Sequence, residues 1–340
     1  MNRRELLQQM AAATAVGAFA TRAPLVAAGQ AGSTQTPEAP ATSRFIPGFT
    51  LTRVQTSGLL VDGPNGKIQT AGTTINVAKG GDGPPLLLLH GAPMTYIAWR
   101  LVAPLLAKSY TVIAPDLRGY GDSGKPPDGD AHANYSKRVM AADQVEVMRH
   151  FGFTRFPVVG HDRGGRVGHR LALDHATAVT KLAVLDILPT HYLYTHVTLD
   201  FVRAYFHWFN YLRPAPGPEN ELKAQYEAQR ARATTDVQKE YARAMSDPAT
   251  IHAMCEDYRA AASIDLTYDE TDLKQGKKVT CPLLTLWGER GAMGRLYDVL
   301  GVWREWGTNV SGKGIPAGHN LHEETPDLVL AELSAFLGAT

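Results

Sequence analysis

Cysteine is nearly absent from this 340-residue chain, which has only Cys255 and Cys281. One falls in a predicted helix and the other at a predicted strand start, without metal-ligand spacing. Reduced, buried thiols are therefore expected in place of a disulfide framework or a zinc site. An excess of charge of one sign is lacking too. Lys and Arg number 34 against 33 Asp and Glu, a formal net charge of +1, which gives no long-range attraction toward nucleic acid or an anionic membrane. No apolar run reaches the roughly 20 residues that a bilayer-spanning helix needs, which argues against stable membrane insertion. There is no internal repeat. The pattern Gly-x-Ser-x-Gly occurs nowhere, and with it goes the ordinary serine esterase.

What is present is the same turn with a different residue at its tip. In Val158-Val159-Gly160-His161-Asp162-Arg163-Gly164-Gly165-Arg166, an apolar strand opening at Phe156 and Pro157 runs into a glycine-flanked tight turn, and a helix follows from Val167 to Asp174. Such a turn lifts one side chain clear of a sheet. A carboxylate there is ionised at neutral pH and attacks an electrophilic carbon without a base first removing a proton. That chemistry suits alkyl halides and epoxides.

A nucleophile at such an elbow needs an acid and then a histidine later in the chain. Lys181 to Ile187 is an apolar strand pattern containing Asp186, and Glu289 follows a second strand at Leu283 to Trp287, so two acids compete. Pro316-Ala317-Gly318-His319 offers a histidine in a loop, with His322 three residues on. Upstream, Pro85 to Leu89 reads as a buried strand delivering His90-Gly91-Ala92-Pro93 to the same sheet edge. The backbone NH groups of Ala92 and Arg163 are the expected oxyanion hole. Asp116, at a strand end, and Asp143, on a helix, read as structural.

From about Phe49 to the C-terminus the chain resembles the fluoroacetate (haloacetate) dehalogenase family of α/β-hydrolases. The resemblance is densest in Ala114-Pro115-Asp116-Leu117-Arg118-Gly119-Tyr120-Gly121, Gly160 to His175, His207-Trp208, Cys255-Glu256-Asp257-Tyr258-Arg259 and around His319. Arginine at both 163 and 166 is its most specific part, since related haloalkane dehalogenases and epoxide hydrolases usually carry tryptophan after the aspartate. The resemblance implies an α/β fold with a mostly parallel sheet, helices on both faces and an inserted helical lid. It implies Asp162 as nucleophile, His319 as base, Asp186 as orienting acid, and His207, Trp208 and Tyr258 as halide donors, with no cofactor or metal. It leaves a homodimer open.

Read from the residues, Arg163 and Arg166 are three apart at a helix start and share a face within one turn of Asp162. Two guanidiniums there imply a small anionic substrate, a halocarboxylate gripped by its carboxylate at both forks with its α-carbon turned to Asp162. An epoxide hydrolase is the alternative enzyme. It would use a tyrosine such as Tyr192, Tyr194 or Tyr205 and have no need of paired arginines. A non-catalytic small-ligand receptor on the same fold would predict a broken triad. Two departures from the family, Ala92 in place of a bulky aromatic and a shorter, more polar stretch between Pro218 and Tyr241, predict a roomier pocket.

Strand patterns near 51–61, 67–78, 85–89, 111–115, 156–160, 181–187 and 279–287, alternating with helices, predict a largely parallel sheet. The expected division is a hydrolase core at 44–188, a helical lid at 189–273 and the rest of the core at 274–340. Residues 1–43 form a separate segment. Arg3-Arg4 precede an alanine-rich run from Met10 to Ala20 with small-residue cleavage sites, and a Thr/Pro/Ala/Ser-rich linker follows from Gln30 to Ser43. This pattern predicts twin-arginine export and a periplasmic or secreted protein, or a cytoplasmic one if the segment is not a functional signal.

Overall fold

The computed structural model describes residues 41–338. The export segment expected within residues 1–40 lies outside them. Eleven strands occur among the described residues: β1 Ala41–Thr42, β2 Thr50–Thr56, β3 Leu60–Gly63, β4 Gly66–Gln69, β5 Thr73–Gly80, β6 Pro85–Leu89, β7 Thr111–Pro115, β8 Phe156–His161, β9 Val179–Leu185, β10 Leu283–Gly288 and β11 Val310–Ile315. Nine of them form one sheet in the order β1-β2-β5-β7-β6-β8-β9-β10-β11, while β3 and β4 pair separately. The pairs from β7–β6 through β10–β11 are parallel, and those joining β1, β2, β5 and β7 are antiparallel.

Both faces of the sheet are covered, so its central strands need apolar residues at consecutive positions. Strand β6 illustrates the division: Leu87 and Leu89 enter one core and Leu86 and Leu88 the other. Strand β9 does the same with Leu182 and Val184 against Ala183 and Leu185. Pro157 would deprive a central strand of a ladder donor, and the β8–β9 register shifts at that point, between Phe156 and Val158.

The early ribbon differs from the two long strands expected at 51–61 and 67–78. It breaks into four because Gly58 and Gly72 pass too close to the neighbouring chain: a Cβ at Gly58 would meet Thr70 O at 2.0 Å, and one at Gly72 would meet Thr56 O at 2.4 Å. Strand β11 has no counterpart in the sequence reading. Its residues Val-Ser-Gly-Lys-Gly-Ile carry no apolar run, and a Cβ at Gly312 would lie 2.2 Å from Thr285 O.

The helices that matter for the site are α1 (Lys137–His150), α2 (Asp162–Asp174) and a run inserted between β9 and β10. That run comprises α3 Thr190–Thr195, α4 Leu199–Ala204, α5 Phe206–Asn210, α6 Gly217–Arg232, α7 Asp236–Ala244, α8 Pro248–Ala261 and α9 Ile264–Lys274. No helix among the described residues is long and apolar enough to cross a membrane. Cys255 is buried, Cys281 partly so, and both are free.

Helix α2 joins the insertion to the sheet. Arg163, Arg166 and Arg170 share one of its faces, at spacings of three and four residues. Arg170 is buried and bridges Asp174 on α2 to Asp269 and Asp272 on α9. Burying an ion pair stabilises modestly, whereas removing one partner strands the others. Arg170→Ala is therefore expected to destabilise the protein by about 3–5 kcal/mol, measured as a fall in the urea midpoint, whereas Arg203→Ala, in an exposed pair with Asp200, should change it by less than about 1 kcal/mol.

Candidate active site

Strand β8 ends at His161, and the chain turns at Asp162 with φ 45° before entering α2. A non-glycine residue in the left-handed region costs of order 1–3 kcal/mol and persists only where its surroundings enforce it. Here the enforcement is packing. A Cβ at Gly160 would meet Gly164 O at 2.5 Å, and one at Gly164 would meet Leu89 O and His90 O at 2.4 Å. The start of α2 thus lies directly on β6 and β8, and the Asp162 carboxyl is directed to where those strands end.

Across the sheet edge, the Ala92 NH donates to Asp162 Oδ2 at 3.0 Å, leaving Oδ1 as the oxygen free to attack. The other expected donor, the Arg163 NH, makes no hydrogen bond to the carboxylate in this structure. Burial pushes the Asp162 carboxyl up, but His319, His161, Arg163 and Arg166 outweigh it and bring the pKa down to about 2. The carboxylate is therefore ionised at neutral pH.

Of the competing acids and histidines, the structure brings Asp186 and His319 together, Nδ1 to Oδ2 at 2.6 Å. Asp186 also sits at positive φ, 52°, and its Oδ1 accepts from the Gly288 NH at 2.9 Å. With Nδ1 so occupied, the His319 proton is directed to Asp186 and Nε2 is left as the basic atom. Glu289 lies instead along β11, where a Cβ at Gly314 would meet its Cγ at 2.7 Å. His322 is fully buried, packed at a tilt against the rings of Trp99 and His161, with neither ring nitrogen hydrogen-bonded. Burial opposes the protonation of His319, but the bond to Asp186 and the nearby Asp162 charge raise its pKa above the usual histidine value.

Sequence reasoning assigned no role to His161. Its Nε2 donates to the His319 carbonyl at 3.0 Å, tying the histidine loop to the residue before Asp162. Burial drives its pKa down to about 3, so it makes this bond as a neutral ring. Its place inside the elbow was the only available signal. Asp116 and Asp143 do structural work, as read: Asp116 accepts from the Tyr96 and Asp122 NH groups and from Asn76 Nδ2, and Asp143 receives Arg118 through two nitrogens.

The arginines correct one expectation, that both forks stand open. The fork of Arg163 is taken by Asp257 of α8, through Nε at 3.0 Å and Nη2 at 2.5 Å, with Nη2 also reaching the Asp257 carbonyl at 2.8 Å. Only Nη1 is unpartnered. Arg166 gives Nη1 to the Leu188 carbonyl at 2.9 Å and to Thr190 Oγ1 at 3.1 Å, and its Nε is unpartnered. The two guanidiniums stack on Tyr258 and Trp208, 4.2 and 4.6 Å from the ring centroids. Arg163 is therefore left with a single nitrogen for an anion, whereas Arg166 keeps Nε and Nη2, one edge of its guanidinium, without protein partners; neither residue is among those lining the cavity beside Asp162.

Asp257 is a positioning residue that the sequence did not reveal. It is wholly buried, accepts from Tyr120 OH at 2.7 Å and pairs with Lys137 of α1 as well as Arg163. Burial pushes its carboxyl up, but the two cations pull it well below the ordinary carboxylate range.

A cavity of about 440 Å³ is lined by Asp162, His319, Ala92, Tyr205, His207, Trp208 and Tyr258, among others. Five of these seven, all but Tyr205 and Ala92, are the expected nucleophile, base and halide donors. Burial lowers the pKa of His207, so it is neutral with one N–H to give. Of the three tyrosines considered for an epoxide, Tyr205 lines the cavity, Tyr194 is half-buried with its hydroxyl buried and unpaired, and Tyr192 stacks on His196. Among the described residues, Asp128, His252 and Glu256 form a group able to hold a cation, but none of them lines this cavity. His252 already bonds Asp128 and Glu219, and Glu256 bonds His132 and Arg259.

Asp257→Asn leaves Arg163 without its countercharge and Lys137 with only Asp265, 3.9 Å away, and is expected to destabilise by about 3–5 kcal/mol. Adding Lys137→Met should restore part of that loss in denaturant titrations. Purely additive destabilisation would contradict the shared-carboxylate reading.

A family model for the α/β hydrolase fold matches residues 84–326. The chain is 45% identical to a fluoroacetate dehalogenase of Burkholderia sp, over 79% of this chain and 92% of that protein. It is 33% identical to a soluble epoxide hydrolase of Corynebacterium sp. (strain C12), over 76% and 92%. Among solved structures it is similar to a provisionally assigned α/β hydrolase from Nostoc sp PCC 7120, at 48% identity and TM-score 0.76, covering 84% of this chain and 99% of that one. It is also similar to a provisionally assigned acyltransferase from Salmonella enterica, at 44% identity and TM-score 0.80, covering 88% and 99%. An aspartate at the elbow, an Asp186–His319 pair beside it and these similarities agree: the chain belongs to the α/β-hydrolase fold family and, within it, to the fluoroacetate dehalogenase family.

Proposed function

We propose that the protein hydrolyses a short 2-haloacid, a haloacetate to glycolate and halide, through an ester on Asp162. The observation that carries this reading is the Asp162 carboxylate, held ionised with a pKa of about 2, in one cavity with His319 and the donors His207, Trp208 and Tyr258.

The substrate carboxylate takes the unpartnered nitrogens of Arg163 and Arg166, which turns the α-carbon toward Asp162. Asp162 Oδ1 attacks that carbon from the side opposite the halogen. The C–O bond forms as the carbon–halogen bond breaks, and the halide leaves with the electron pair. Fluoride above all needs donors to replace its water, and an imidazole NH, an indole NH and a phenol OH supply them. His319 Nε2 then takes a proton from water, whose oxygen attacks Asp162 Cγ. Negative charge develops on Oδ2, where the Ala92 NH stabilises it. Collapse releases the hydroxyacid and restores the carboxylate.

An epoxide hydrolase remains the second reading, favoured by Tyr205 in the cavity wall. A neutral epoxide would leave the buried Arg163 Nη1 and Arg166 Nε with nothing to bind. We further propose export, supported by Arg3-Arg4 and the short apolar run after them.

In a single turnover in heavy-oxygen water, the first product oxygen should come from the protein and carry no label. Fully labelled first-turnover product would overturn the ester. Asp162→Ala should release no halide, whereas His319→Ala should accumulate the alkylated protein, visible as added mass. The pH dependence follows from the raised pKa of His319. Only the neutral ring is a base, so turnover should be lost as pH falls through the pKa of His319 in the ester, which the Asp186 bond still raises but the Asp162 charge no longer does. Asp186→Asn removes a charge that favours the protonated ring, so the acidic limb should move to lower pH while the maximal rate drops. A limb that stays put would mean another group sets it.

A further inference from the structure

The catalytic cavity does not end at the residues that do the chemistry. A second cavity of about 420 Å³ shares Pro93, Met94, Tyr226, Gln229 and Asn320 with it. The remainder of its lining joins Ala233 and, from α7 and the turn after it, Tyr241, Ala242 and Met245 to the polar side chains Arg232, Gln238 and Glu323. Its one carboxylate, Glu323, is already committed to Arg100 and to Tyr241 OH, so no anionic charge faces the interior uncompensated.

Size sets the question. A haloacetate has five heavy atoms, and at roughly 30 Å³ for a water-sized group it fills about a third of the 440 Å³ catalytic cavity and none of its neighbour. Together the two approach the volumes that enclose far larger ligands. Direction sets the answer. On a carbon attacked by Asp162, the carboxylate points to Arg163 and Arg166 and the halogen to His207, Trp208 and Tyr258. Of the walls that neither group uses, the one at Pro93, Met94 and Tyr226 is shared with the second cavity. A substituent on the α-carbon would leave along that wall and reach Ala242 and Met245.

We infer that the second cavity is a subsite for an apolar chain on the α-carbon, and that linear 2-haloalkanoates longer than haloacetate are substrates of this enzyme. The inference rests on the haloacid reading proposed above. A neck bounded by Pro93, Met94 and Tyr226 suits a flexible alkyl chain, and the carboxylate at the other end remains with the arginines. Each methylene entering the subsite adds the transfer energy of a buried CH₂, roughly a fourfold gain in affinity.

The test is bromide release from bromoacetate, 2-bromopropanoate, 2-bromohexanoate and 2-bromooctanoate. Comparing only the last three holds branching at the attacked carbon constant. KM is expected to fall at least tenfold from 2-bromopropanoate to 2-bromooctanoate. In Ala242→Phe, which fills the subsite from α7, the ratio of kcat/KM for 2-bromooctanoate to that for 2-bromopropanoate should drop at least tenfold. That ratio does not depend on how much of the variant is folded, and if none folds the wild-type series decides alone. Bromide release from bromoacetate with KM flat or rising along the series, or an unchanged ratio in the variant, overturns the subsite. No bromide from any of the four acids would overturn the haloacid reading itself.

Discussion

Arg163, Arg166 and Arg170 leave α2 on one face, and each is buried against a different part of the inserted helices: Asp257 on α8, the Leu188 carbonyl and Thr190 at the start of α3, and Asp269 and Asp272 on α9. The helix that begins with the nucleophile is thus also the helix to which the insertion is fastened. His207, Trp208 and Tyr258 all arrive from that insertion, so their position relative to Asp162 depends on these bonds. A charge network of this kind adds little net stability over apolar packing, but it tolerates few alternative registers. For a site that must align a nucleophile, a carbon and a leaving group, register is what counts.

The same arrangement explains how so many charges coexist in a buried site. Asp257 balances Arg163 and Lys137 behind the cavity wall, which lets Arg163 remain charged and yet offer only one nitrogen forward. Asp162 faces cations and imidazoles on several sides and stays ionised despite its burial. The histidines divide by partner. At the site, His161 and His322 are pushed by burial toward the neutral form, whereas His319, with a carboxylate on each side, is shifted the other way.

Much of this could be read from local sequence, because the determinants are local. An elbow announces itself by glycines at fixed spacing, and buried parallel strands by continuous Leu and Val. What could not be read depends on contacts made far along the chain. Asp257 meets Arg163 across 94 positions, and His161 meets the His319 carbonyl across 158. Asp186 and Glu289 both end apolar strands, and only the order of β9, β10 and β11 in the sheet decides which one faces the histidine. Strand β11 escaped notice because its glycines, needed where it passes Thr285, erase the apolar pattern by which a strand is recognised.

The position of His319 between Asp186 and Asp162 has a consequence for timing. Part of what holds a proton on its ring is the negative charge of Asp162. In the proposed reaction, alkylation of Asp162 turns that carboxylate into a neutral ester, and the charge disappears. His319 then gives up its proton more readily, so its basicity is released by the first chemical step and is available for the second. When hydrolysis regenerates the carboxylate, the ring again favours its proton. The base is thereby clocked by the covalent state of its neighbour, with no moving part.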